Sequence, residues 1–167
     1  NRIEKLNLLM SGLLTQAQDF QKAADIRLRS PRGDSYQSAI YKALGSGGNT
    51  VGWAFKCSGS GFADEIVLVV ALDAEADDFA GFATLKSNET PGFGDRITND
   101  YFQDQFEQAP AEKLELVKSG DPAKKDDQIV AISGATVSSQ AVVEIINKAI
   151  TQLRSKFQEK GLTQNGG

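Results

Sequence analysis

Ile132-Ser133-Gly134-Ala135-Thr136-Val137-Ser138-Ser139-Gln140 is the stretch that decides how this chain reads. Residues 129–132 are apolar and short enough for a buried strand. From Val137 onward, Ala141, Val142, Ile145, Ile146, Ala149, Ile150, Leu153 and Phe157 recur at helical spacing. A turn of small residues therefore hands the chain from a strand to a long amphipathic helix. At such a junction the first helical N–H groups lack intrahelical partners and the helix dipole is positive, so an anion is favoured there. Gly134 and Ala135 leave room for it to approach the backbone, among the hydroxyls of Ser133, Thr136, Ser138 and Ser139. Plain capping of the helix by Ser133, Thr136 or Ser138 explains the tetrapeptide equally well on its own.

Working outward, residues 2–29 read mostly as helix, with Ile3, Leu6, Leu9, Leu13, Ala17 and Phe20 on one face, until Pro31-Arg32-Gly33-Asp34 breaks it. Residues 36–44 read as a short helix closed by residues 45–48. Strand-like runs follow at 51–57, 65–72 and 79–85, the second apolar nearly throughout, as in a central strand. Residues 100–106 look helical, with Phe102 and Phe106 one turn apart. Residues 114–117 and 128–132 add strands, and a helix from 137 to about 156 closes the domain. The expected fold class is α+β: one domain with a twisted, mostly antiparallel sheet packed with helices. The expected organisation is an N-terminal helical segment at 1–46, the main domain at 47–160 and a flexible tail at 161–167.

A second uncommon segment is Glu89-Thr90-Pro91-Gly92-Phe93-Gly94-Asp95. Pro91 fixes φ, while Gly92 and Gly94 admit positive φ and close approach of backbone to a flat ligand. A tight turn with Phe93 plugged into the core explains this segment too when it is taken alone.

Together the two segments resemble the FMN-binding domain of the G subunit of the Rnf electron-transport complex and of its relative, the C subunit of the sodium-pumping NADH:quinone oxidoreductase. The marks are a Glu-Thr-Pro-Gly-Leu-Gly loop and, some forty residues on, a Ser/Thr-Gly-Ala-Thr segment; here they are residues 89–94 and 133–136, in the same order. Gly52-Trp53, Gly59, Gly61-Phe62 and the run 66–72 fit the pattern as well, so the likeness covers roughly residues 47–150. Phe93 stands for the usual Leu, Val130 for an Asp common before the modified Thr, and Ala63 for a frequent Gly.

The resemblance implies a covalent flavin. FMN would be carried through a phosphoester on Thr136, with Ser133, Gly134, Ala135, Ser138 and Ser139 around the phosphate. The ring would lie against Glu89, Thr90, Pro91, Gly92, Phe93 and Gly94. From proximity in the sequence alone, Arg96 or Lys86 is a candidate cation for the reduced flavin, although side chains of this kind are more often solvated. It further implies a flavin transferase for maturation, other subunits of a membrane-bound, ion-translocating redox complex as partners, and a place on the extracytoplasmic (periplasmic) face of the membrane. Family members carry a transmembrane helix before the soluble domain, and this chain starts with Asn, so an anchor N-terminal to these residues is expected.

Composition narrows the alternatives. The 167 residues are 40% hydrophobic, enough for one core, and a net charge of −4 with scattered Lys and Arg argues against nucleic acid. A single cysteine, Cys57, excludes an intrachain disulfide and reads as a core residue. With no histidine, Ser-His-Asp and Cys-His catalysis and ordinary His-based metal sites are removed, and no metal ligands are assigned. Asp77-Asp78 and Asp126-Asp127 read as solvated turns. No apolar run is long enough to span a bilayer, and no signal peptide is visible, so the stretch given reads as soluble. With no Gly-x-Gly-x-x-Gly fingerprint either, the chain reads as an electron relay and not a self-contained catalyst. Two other readings stay open: a stand-alone extracytoplasmic flavodomain serving another reductase, and a non-redox binding module that has lost its flavin.

Overall fold

The computed structural model describes residues 2–92 and 94–163. Helix α1 (Arg2–Leu13) precedes five strands, β1 (Asp19–Arg29), β2 (Ser35–Leu44), β3 (Thr50–Ser60), β4 (Glu65–Leu72) and β5 (Phe79–Lys86), which pair antiparallel in sequence order. Next come the 3-10 turn Gly94–Thr98, helix α2 (Asp100–Gln103) and a second 3-10 turn, Asp104–Phe106. A short parallel pair, β6 (Glu115–Val117) and β7 (Gln128–Val130), then leads into the long helix α3 (Thr136–Lys160). The fold is α+β, as the patterning implies.

The N-terminal quarter differs from its sequence reading. Only Arg2–Leu13 is helical; the rest of the supposed helix, and all of residues 36–44, belong to β1 and β2 or to the turns beside them. In β1 the buried Ile26 and Leu28 alternate with exposed Asp25, Arg27 and Arg29, a period of two that the helical stripe concealed. In β2, Ser38 and Ile40 are buried at the same spacing, and pairing with neighbours on both sides overrides the weak helical pattern. The boundary expected at 46/47 falls between β2 and β3, which are hydrogen-bonded partners in one sheet. In α1 it is Met10 that is fully buried, whereas Ile3 is 72% exposed. At the other end, Leu162 packs against the core and residues 164–167 lie outside the described residues.

The sheet has two unlike faces. Toward α3 it presents Trp53, Phe55 and Cys57 from β3 with Leu68, Val70 and Leu72 from β4, and the Phe157 ring of α3 packs tilted against Trp53 with centroids 5.0 Å apart. Each large apolar side chain of this kind contributes about 1.5–3 kcal/mol on burial. Phe82, Phe102 and Phe106 close this core with edge-on contacts of 4.6–6.0 Å. Toward α1 the sheet offers small residues, Ala43, Ala54, Val69 and Ala71, against Met10 and Leu14. The heavy face thus fixes α3, and with it the turn that begins α3.

Three side-chain amides act as single-residue strands. Gln105 bonds both N–H and C=O of Val130 (2.7 and 3.0 Å), Asn147 does the same to Leu114 (2.7 and 2.8 Å), and Gln152 to Arg29 on the outer edge of β1 (2.8 and 3.0 Å). Backbone groups that would otherwise be open are thereby satisfied.

Candidate functional site

The β3–β4 turn, the segment after β5 and the start of α3 converge at one end of the sheet. They enclose a cavity of about 410 Å³ lined by Phe62, Thr90, Gly94, Gly134, Ala135, Thr136, Val137 and Ser138. The two segments singled out in the sequence therefore form opposing walls of one space, joined by Phe62.

In the α3 wall, Gly134 takes φ +80°, a left-handed conformation that favours glycine. Ala135 occupies the N-cap position and makes no side-chain capping bond, so the capping explanation fails for Ser133, Thr136 and Ser138. Thr136 is exposed at the mouth of the cavity, and Val137 is 58% exposed even though its spacing groups it with the buried stripe. Ser138 and Ser139 are both buried; Ser138 lines the cavity with its hydroxyl donating to Glu89, whereas Ser139 does not line it. Ser139 is fully buried, donating to the Ala135 carbonyl (2.8 Å) and accepting from Ile132 N–H (3.1 Å), which fastens the turn to the helix. Ser133 is exposed, and its carbonyl accepts from the Arg96 guanidinium across the cavity end.

The opposite wall is organised by Glu89, which is 4% exposed and does not line the cavity. Its Oε1 accepts from Phe62 N–H (2.7 Å) and from Ser138 Oγ (2.7 Å), and its Oε2 from Ala63 N–H (2.9 Å) and Asp64 N–H (3.4 Å). Burial pushes the carboxyl up, but the Ser138 hydroxyl and the three N–H donors together outweigh it and hold it below the usual carboxylate range. Because residue 63 contributes only its N–H, Ala there serves as well as Gly. Gly94 is buried against this group: a Cβ on it would lie 2.5 Å from Ser138 Oγ and 2.9 Å from Glu89 Cβ.

Thr90 is exposed on the cavity rim and its carbonyl accepts from Asp95 N–H (3.2 Å); Pro91 and Gly92 are exposed, Gly92 with φ +78°. Phe93 lies outside the described residues. Lys86 forms a surface pair with Glu65 at 3.5 Å, and neither it nor Arg96 lines the cavity. Sequence reasoning missed the burial of Glu89, the Arg96 bridge and the place of Phe62 in the cavity. The signal for Phe62 was present, a large aromatic between Gly61 and a polar turn.

The chain has the same fold as NqrC of Shewanella oneidensis, with a TM-score of 0.72 over 89% of this chain and 73% of that one at 18% identity. It is 35% identical over 143 residues to the G subunit of the ion-translocating oxidoreductase complex of Methanosarcina acetivorans, covering 84% of this chain and 71% of that protein. It is also 31% identical over 111 residues to the G subunit of the proton-translocating ferredoxin:NAD(+) oxidoreductase complex of Clostridium ljungdahlii, covering 66% of this chain and 58% of that protein. Residues 61–151 match the FMN-binding domain family, and the chain belongs to that family. The matched span runs from the turn that holds Phe62 to the middle of α3, and so contains both walls of the cavity.

The cavity fits such a ligand. Its volume is within the range of small-molecule sites, its lining includes the small residues Gly94, Gly134 and Ala135, and the uncapped N-terminus of α3 suits a phosphate. Among the described residues no helix is long and apolar enough to cross a membrane.

Proposed function

We propose that this chain is an electron-transfer subunit that carries FMN on Thr136 within a membrane-bound, ion-translocating redox complex of the Rnf type. The observation that carries the reading is the exposed Thr136 hydroxyl at the mouth of a cavity bounded by the N-terminus of α3 and the 89–94 segment. The neighbouring hydroxyls of Ser138 and Ser139 are buried and engaged, which leaves Thr136 as the residue of the first turn free to form an ester. N–H groups of the first turn of α3 would hold the phosphate, while Phe62, Thr90 and Gly94 would meet the ring. Bound FMN supplies reversible electron transfer, and the protein supplies position and surroundings.

The relatives from Methanosarcina acetivorans and Clostridium ljungdahlii are G subunits of ion-translocating oxidoreductases, which favours the Rnf type over the sodium-pumping quinone reductase. Under this reading the partners are the other subunits, a flavin transferase attaches the cofactor, and the domain faces the extracytoplasmic side, anchored by a helix N-terminal to these residues.

The test is mass spectrometry. Protein produced with an active flavin transferase gains the mass of one FMN less one water, and Thr136→Ala abolishes the gain. An increment mapped to Ser133, Ser138 or Ser139 refutes the assignment.

A further inference from the structure

We infer that Glu89 is a positioning residue of this site: its buried carboxylate ties the Phe62 wall to the first turn of α3 and sets the spacing between them without touching the ligand. The inference rests on reading the cavity as the flavin site.

Four donors from two separate segments converge on the one carboxylate. Three are consecutive backbone N–H groups of the β3–β4 turn, and the fourth is the hydroxyl of Ser138, two residues beyond Thr136. Since both oxygens are occupied and the side chain does not line the cavity, Glu89 is placed to shape the space and not to bind within it. The arrangement requires an ionised acid. A carboxylate is acceptor-only, whereas an amide at the same place turns an NH2 donor toward the N–H groups it must accept from. The Ser138 bond has a second consequence: although Ser138 lines the cavity, its hydroxyl is committed to the carboxylate and so withdrawn from competition with Thr136. Gly94 belongs to the same device, because any side chain there would enter the space between Glu89 and Ser138.

The tie also fixes Phe62. Its ring is 67% exposed and lines the cavity, so few contacts of its own hold it, whereas its N–H makes one of the two shortest bonds to Glu89. Releasing the carboxylate frees that wall while the core beneath, packed on β3 and β4, stays in place.

The experiment compares the parent protein with Glu89→Gln and Ser138→Ala. In flavin-free protein, backbone amides of residues 62–64 should exchange with solvent at least about tenfold faster in Glu89→Gln, as expected when charge-assisted hydrogen bonds are lost, while amides of β4 keep their rates. In flavin-loaded protein, Glu89→Gln should change the visible circular dichroism and raise the midpoint potential, because a buried negative charge near the flavin is removed. Ser138→Ala, which deletes one of the four bonds, should move the dichroism in the same direction by less, and it keeps the test readable if the Gln variant does not fold. Unchanged exchange at residues 62–64, or unchanged dichroism and potential in a loaded variant, overturns the role of Glu89. Failure of the parent to acquire FMN on Thr136 overturns the proposed function instead, and the exchange comparison still decides whether the carboxylate ties the walls.

Discussion

The 89–94 segment and the 133–139 turn face each other across one cavity, yet they are held by opposite means. The first hangs from a buried carboxylate with four charge-assisted bonds. The second is fastened from within by neutral bonds, through the Ser139 hydroxyl and the Ala135 N–H to the Ile132 carbonyl (2.9 Å), and is joined to the first through Ser138 and Arg96. Polar residues of one motif therefore do different things: Ser139 and Glu89 build the walls, while Thr136 and Thr90 stand on the rim. A polar residue inside a ligand motif is as often scaffolding as contact, and burial separates the two.

The largest effect should come where the walls touch. Gly94→Val places a Cβ 2.5 Å from Ser138 Oγ and should cost about 3 kcal/mol in urea unfolding. Gly92→Ala, with nothing within 4 Å of its Cβ but φ at +78°, should cost about 1 kcal/mol from backbone strain alone. Equal costs would show that the walls are not packed against each other at Gly94.

Acid should act next, through the carboxylate that joins the walls. Because Glu89 titrates below its ordinary value of 4.5 in the folded protein, the unfolded chain binds the proton first. The stability that Glu89 contributes is therefore present above that ordinary value and is lost as pH falls through the depressed folded one. Asp64, whose carboxyl is lowered by the Glu65 N–H and then by the Asn88 amide, works in the same sense but from an exposed position. Urea midpoints measured down to acid pH should fall for the parent and fall less steeply for Glu89→Gln; parallel curves would remove the carboxylate from the account.

On the other wall, Ser139→Ala leaves the buried Ile132 N–H without its acceptor and should cost about 1–2 kcal/mol, with no dependence on pH in the acid range. Smallest of all should be Thr136→Ala. The residue is exposed at the start of α3, so its unfolding free energy should match the parent within about 0.5 kcal/mol even where flavin attachment is abolished. A large loss of stability would make Thr136 part of the wall.

Much of this architecture was legible in the chain. The periodic stripe from Ala141 to Phe157 foretold α3, the apolar run 65–72 foretold a central strand, and the small-residue turn foretold an open helix start. The first two strands were not legible. Residues 19–29 alternate only weakly, since a register shift between Lys22 and Ala24 leaves Ala23 unpaired with β2 and breaks the period of two. The fourfold coordination of Glu89 was hidden for another reason: three of its partners are backbone N–H groups 25 to 27 residues upstream, and an N–H leaves no mark in a sequence. Val137 misled because its spacing suits the buried stripe, whereas its place in the first turn turns it toward the cavity.

The Asn147 amide that doubles as a strand works in one orientation and one chemical form only. Asn147 offers its oxygen to the Leu114 N–H and its NH2 to the Leu114 carbonyl, and each contact needs the correct end of the group. Hydrolysis of that amide to a carboxylate leaves the shape almost untouched and sets an anion against a carbonyl oxygen. Of the two contacts only the one to the Leu114 N–H would survive that change, so the tie between α3 and the residue that leads into β6 depends on the NH2 end of a single side chain.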